Sequence, residues 1–178
     1  MSLKTAIIET VKKIEGNLIL IGIYDQLIFK TVDENDKITD CMIINNKKFS
    51  YGELNNGRGK VKHYNIKRLR KTFKKKTVNN IVANYDELKN KLHHFIKNSI
   101  YISKGNIYIY CNKDEDIDEL VRRYNRYETT INIEEKEECK IVIIDASKAK
   151  NKKIKDIGYT ISDIVFIATD FIGDLLTN

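Results

Sequence analysis

The sequence predicts an α/β fold: a mostly parallel central sheet with helices on both faces, closed by a C-terminal antiparallel hairpin. Three observations carry that prediction. The runs LILIGI (18–23) and DCMIIN (40–45) are apolar with almost no alternation, so both faces need cover, as in central parallel strands. Segments with a 3.6-residue apolar period separate such runs. Finally, TTINIE (129–134) and CKIVIID (139–145) are joined only by EKEE, too short for a helical crossover, so they should pair antiparallel. At 178 residues the chain suits one sizeable core and is short for two, so a single domain over 1–178 is expected.

Taken in order, LKTAIIETVKKI (3–14) places Leu3, Ala6, Ile7, Val11 and Ile14 on one helical face, and Gly16 can end that helix in a left-handed conformation. Residues 18–23 form the first strand, 25–32 a short return helix and 40–45 the second strand. Residues 46–77 are an irregular basic excursion, rich in Gly and Asn at the start. Within it, Ile66, Leu69 and Phe73 define the inner face of a short helix and leave Lys67, Arg68, Arg70, Lys71, Lys74 and Lys75 on the solvent face. VNNIVAN (78–84) reads as a strand and 86–102 as a helix with Leu88, Leu92, Phe95, Ile96 and Ile100 inward. Ser103 to Gly105 should turn into the strand NIYIYC (106–111). DEDIDELVRRYNRY (114–127) runs from acid to base, the order a helix dipole favours. After the hairpin, Ile157, Ile161, Ile164, Val165, Ala168, Phe171, Ile172 and Leu175 give residues 154–178 the period of an amphipathic helix. It would cover a sheet face or mediate a homo-oligomer.

Composition narrows the function classes. No run of 18 apolar residues occurs, and the N-terminus alternates charge too early for a signal peptide, so a cytoplasmic protein with no membrane contact is expected. Cys41, Cys111 and Cys139 are widely spaced and lack zinc spacing; they read as buried thiols, and His63, His93 and His94 add no metal pattern. The formal net charge is +7, but residues 58–76 hold ten Lys or Arg and no acid, so the other 22 basic and 25 acidic residues sum to −3. That segment could hold nucleic acid or another anionic partner through its cations, with Tyr64 available to stack. Equally, it could be a solvated helix face in a Lys-rich chain.

The order of elements from IVAN (81–84) through SKGNIYIYC (103–111), TTINIE and KIVIID resembles the closing half of the S-adenosylmethionine-dependent methyltransferase fold. The resemblance spans roughly 2–148, apart from 46–77, and makes NLILIGIYD (17–25) the first strand and cofactor loop. It implies S-adenosylmethionine as cofactor, with Gly22, Tyr24 and Asp25 in the loop and Asn45 in place of the family's ribose-binding acid. The family's glycine-rich loop is replaced here by Ile23, Tyr24, Asp25 and Gln26. Asn84 and Tyr85 resemble, without the prolines, the Asn-Pro-Pro-Tyr word of amino-group methyltransferases, which makes them the candidate catalytic pair. A plainer reading makes ANYDE a loop in which Asp86 caps the next helix. Three functions are therefore in competition: a methyltransferase-like binding module without chemistry, a divergent methyltransferase acting on nucleic acid or a small anion, and a self-assembling structural protein.

Overall fold

Both ends of the first helix, α1 (Leu3–Lys13), are explained by its sequence. The Ser2 hydroxyl accepts from the Thr5 amide at 3.3 Å, satisfying an N–H that has no partner inside the helix. Lys12 and Lys13 lie in the last turn, where unpaired carbonyls favour cations. Ala6, Ile7 and Val11 are buried. The computed structural model describes residues 1–44, 59–62, 66, 69–117 and 128–149.

The remaining elements are β1 (Gly16–Ile21), α2 (Gln26–Glu34), β2 (Ile38–Ile44), β3 (Gly59–Lys62), α3 (Leu69–Thr72), β4 (Val78–Asn84), α4 (Leu92–Ile102), β5 (Ser103–Asn112), β6 (Thr130–Glu135) and β7 (Cys139–Asp145). The strands form one seven-stranded sheet in the order β3-β2-β1-β4-β5-β7-β6. The first five are parallel, with Leu20 opposite Ile43 on one side and Val82 on the other. β7 runs antiparallel to both β5 and β6. The mixed sheet and closing hairpin are thus as the sequence predicts.

Alternation along the strands feeds two cores. Leu18, Leu20, Ile43, Val82 and Tyr110 pack under α1 and α2. Ile19, Ile21, Ile44, Ile81, Ala83 and Ile109 pack under α3 and α4. Each fully buried Ile or Leu contributes about 1.5–3 kcal/mol, which is why these strands read as unbroken apolar runs. The Tyr110 hydroxyl reaches Thr10 and the Ala6 carbonyl on α1, and burial raises its phenol despite the Thr10 bond. Cys41, Cys111 and Cys139 are buried free thiols. Burial, with the charges of Asp40 and Asp33 adding, pushes the Cys41 thiol up to about 12. Among the described residues, no helix is long and apolar enough to cross a membrane.

Several boundaries differ from the expectation. Gly16 does take a left-handed φ of +85°, but Ile14 closes α1 and Gly16 already begins β1, its amide bonded to the Lys37 carbonyl. Within the supposed irregular excursion lies β3, an edge strand pairing Cys41 with Gly59 through Ile44 with Lys62. Its sequence, GKVK, offers one apolar residue, so hydrophobic pattern cannot announce it. The helix expected over 86–102 is two 3₁₀ turns, Tyr85–Glu87 and Lys89–Lys91, followed by α4. No turn precedes β5, because Ser103 leaves α4 directly in extended conformation. Residues 115–117 lack regular structure at the start of the helix expected over 114–127. Residues 118–127 and the expected helix at 154–178 lie outside the described residues.

Candidate functional site

Parallel strands place their carboxyl ends together, and open α/β sheets bind ligands in the crevice there. β1 leaves that edge through Gly22, at φ +66°, with its amide donating to the Ile44 carbonyl at 3.1 Å. Because Ile21 pairs with Ala83, Asn84 stands beside Gly22, and a Cβ on Gly22 would lie 3.7 Å from that of Asn84. The same Cβ would lie 2.5 Å from Glu87 Cγ and 2.6 Å from its Cβ. Glu87 therefore lies across the open face of the glycine.

Asp25 is turned to a different task. Its Oδ1 accepts from the Leu27 and Ile28 amides at 2.8 and 3.3 Å, capping α2, and its Oδ2 meets the Lys4 ammonium at 2.7 Å. The first-turn amides of α2, which could otherwise face an anionic ligand group, are bonded to the chain's own carboxylate. Partial burial works to raise the Asp25 carboxyl, but the bonds from Lys4, Leu27 and Ile28 outweigh it and hold the group below the ordinary 3.8. Because the folded value is the lower one, this contribution is complete above the unfolded value and is lost as pH falls through the folded one. Asp25→Ala should cost about 1 kcal/mol at neutral pH. In urea titrations across the acid range, that difference from wild type should shrink below pH 3.8.

Asn84, not Asp86, caps the 3₁₀ turn after β4: its Oδ1 accepts from the Asp86 amide at 3.1 Å. Tyr85 is half-buried against the α4-side core, with the Lys89 ammonium 5.6 Å from its ring centre. Burial and then the Glu115 charge raise its phenol. Lys89 itself bridges Glu115 at 2.6 Å and Asp86 at 3.6 Å. Tyr24 is half-buried just before the cap. At the end of β5, the Cys111 thiol donates to the Lys140 carbonyl at 3.6 Å and Asn112 is exposed. Asn45 lies outside the described residues.

The fold thus brings Gly22 and Asn84 together, while Asp25 serves the helix. Sequence reading missed Glu87. Its only trace there is indirect: a glycine at the end of β1 announces a close neighbour without saying which.

The basic segment stands elsewhere. Lys71, Lys74 and Lys75 are exposed on α3 and on the approach to β4, toward the amino end of the sheet. Arg70 departs from the expected solvent face. Its guanidinium donates to the Lys97 carbonyl at 3.0 Å and stacks 4.9 Å from the Tyr101 ring centre, joining α3 to α4. Lys67 and Arg68 lie outside the described residues. An open depression of about 400 Å³, lined by Lys12, Thr31, Glu34, Asn35, Asp36 and Lys37, also lies at the amino edge. Its Asn35 amide is occupied in tying the Val11 and Ile14 carbonyls. Among the described residues, no group of three His, Cys, Asp or Glu is placed to hold a metal ion.

The fold is shared with solved structures. Precorrin-8w decarboxylase of Methanobacterium thermoautotrophicum superposes with a TM-score of 0.63 at 7% identity, over 81% of this chain and 90% of that one. An rRNA methylase of Streptococcus thermophilus gives 0.61 at 7%, over 82% and 96%. A candidate S-adenosyl-L-methionine-dependent methyltransferase of Methanococcus maripaludis gives 0.57 at 12%, over 84% and 89%. No protein-family model and no curated protein matches the sequence. The chain has the fold of the S-adenosylmethionine-dependent methyltransferases. At such identities the likeness defines a fold and leaves the chemistry to the site.

Proposed function

We propose that the chain is a methyltransferase-like domain that acts as a binding module, its cofactor crevice no longer serving methyl transfer. The observation that carries this reading is Glu87 lying over Gly22. In the fold's usual arrangement, a bare backbone at that point lets the cofactor approach. Here a side chain takes up the approach, and Asp25 takes up the amides of the next helix. Both side chains support a crevice that no longer takes S-adenosylmethionine.

A divergent methyltransferase is the second reading, and the pairing of Gly22 with Asn84 at the carboxyl edge favours it. An acceptor amide beside that edge is the kind of group that could orient a target nitrogen.

Calorimetry and thermal shift with S-adenosylmethionine and S-adenosylhomocysteine separate the two. A ligand present at a hundred times its Kd stabilises a protein by about 2.7 kcal/mol, a shift of several degrees for a domain of this size. The binding-module reading expects no shift and no heat at millimolar ligand. Micromolar binding of either compound overturns it.

A further inference from the structure

Charge is divided between the two edges of the sheet. At the carboxyl edge, acids are prominent among the described residues, including Asp86, Glu87, Asp114, Glu115, Glu137 and Glu138. Two of the cations there are engaged by acids, Lys89 by Glu115 and Asp86 and Lys136 by Glu134 at 3.2 Å, while Lys113 is exposed. An anionic substrate would meet repulsion at that entrance.

The amino edge under β4, β5 and β7 has the opposite character, and three distant segments build it. The Lys76 and Thr77 amides donate to the Tyr101 and Ile102 carbonyls at 3.2 and 2.9 Å, and Val78 then pairs with Ser103. The Ala146 amide donates to the Gly105 carbonyl at 3.0 Å, and the Lys76 ammonium reaches the Ala146 carbonyl. These bonds gather Lys74 and Lys75, before β4, with Lys104 of β5 and Lys148 after β7. All four are exposed, and none has an ion-pair partner among the described residues. Asp145, beside Lys148 and Lys76, accepts from the Ser147 amide at 2.8 Å and feels both their charges. Glu128 lies farther along, before β6. Lys104 belongs to no basic run in the sequence, and Lys148 opens a separate one, KAKNKKIK (148–155); only the fold brings them to the segment ending at Lys76.

We propose that this lysine cluster docks the phosphate backbone of a nucleic acid without reading its sequence. Neighbouring strands stand about 4.8 Å apart, so β4, β5 and β7 present their cations over about 10 Å. Phosphates follow one another every 3.4 Å or so of axis along each strand of a duplex, so roughly three fall within that reach. Lysines are compact point charges suited to such contacts, and the cluster lacks the planar fork of an arginine. A membrane surface fits less well. The one strongly exposed large apolar side chain among the described residues is Leu27, on the first turn of α2 at the carboxyl edge. The inference does not depend on whether the crevice takes a cofactor. It does imply that these lysines do not deliver nucleic acid into that crevice.

The test is fluorescence anisotropy of a labelled mixed-sequence DNA duplex with the full chain over a salt series. Three phosphate contacts give a log–log salt slope of about −2.7, and further contacts steepen it. Lys104→Glu combined with Lys148→Glu should weaken binding at least tenfold at low salt and flatten the slope by about 2. Circular dichroism checks that this variant folds; if it does not, Lys104→Gln with Lys148→Gln takes its place and should flatten the slope in the same way. Lys113→Glu, exposed at the carboxyl edge, should leave both affinity and slope unchanged. The proposal fails if the paired substitutions change neither quantity, or if Lys113→Glu costs as much. It also fails if phosphatidylserine vesicles bind the wild-type chain while the duplex does not.

Discussion

Gly105→Ala is expected to destabilise the domain by about 3 kcal/mol, at the upper end of what overpacking a tight site costs. A Cβ at Gly105 would lie 2.3 Å from the Asn79 carbonyl oxygen, a backbone atom that no rotamer change can move aside. The strands are close here because their register shifts between Val78 and Asn80, where β5 carries an extra residue. Asn79 cannot retreat cheaply either. Its amide donates to Asn17 Oδ1 at 2.5 Å, and its own Oδ1 accepts from the Asn17 amide at 3.3 Å, locking β4 to β1. Urea titration should show a lower midpoint with an unchanged slope, since the surface exposed on unfolding is the same. Lys104→Ala, next door and exposed, should stay within about 0.5 kcal/mol of wild type. A Gly105→Ala cost below about 1 kcal/mol would mean the strands are not held this closely.

That same glycine explains one way the sequence misleads. Ser103 to Gly105 reads as a turn because Ser and Gly usually punctuate, yet the glycine is there for a close approach between paired strands. Where burial on both faces is the constraint, as in β4 and β7, the expected and observed strands share their bounds, whereas β1, expected over 18–23, starts at Gly16 and ends at Ile21, before the left-handed Gly22. β3 lacks that constraint as an edge strand, and GKVK leaves no trace. Leu88 and Leu92 keep a helical spacing across 85–102, but burying them does not require one continuous helix, and Leu88 sits at φ −107° between two 3₁₀ turns. Arg70 shows why an apolar stripe does not fix the fate of its neighbours. A guanidinium can cover a Tyr ring and bond a carbonyl, so a basic residue expected in solvent becomes part of the packing. The crevice was legible as a place, through Gly22 and Asn84 at strand ends. Its occupant was not, since the reach of Glu87 back over β1 depends on the 3₁₀ turn that Asn84 caps.

Gly22→Ala is expected to cost about 3 kcal/mol, and the loss should divide between two separable causes. Holding alanine at φ +66° accounts for about 1–2 kcal/mol, since a Cβ crowds the backbone in the left-handed region. Displacing Glu87, whose Cγ and Cβ would stand 2.5 and 2.6 Å from the new Cβ, accounts for at least another 1 kcal/mol or so. Glu87→Gly removes the second cause and leaves the first. A double-mutant cycle by urea titration should therefore give a coupling of about 1 kcal/mol, with Gly22→Ala cheaper in the Glu87→Gly background. Zero coupling would mean that Glu87 does not press on the glycine. The Glu87→Gly chain also bears on the crevice, because it bares the Gly22 backbone without touching Asp25 or Asn84. If Glu87 alone bars the cofactor, this variant should bind S-adenosylhomocysteine by calorimetry where wild type does not. If the variant also fails to bind while the coupling is present, the block extends into Ile23 to Gln26, where side chains and the Asp25 cap replace open backbone.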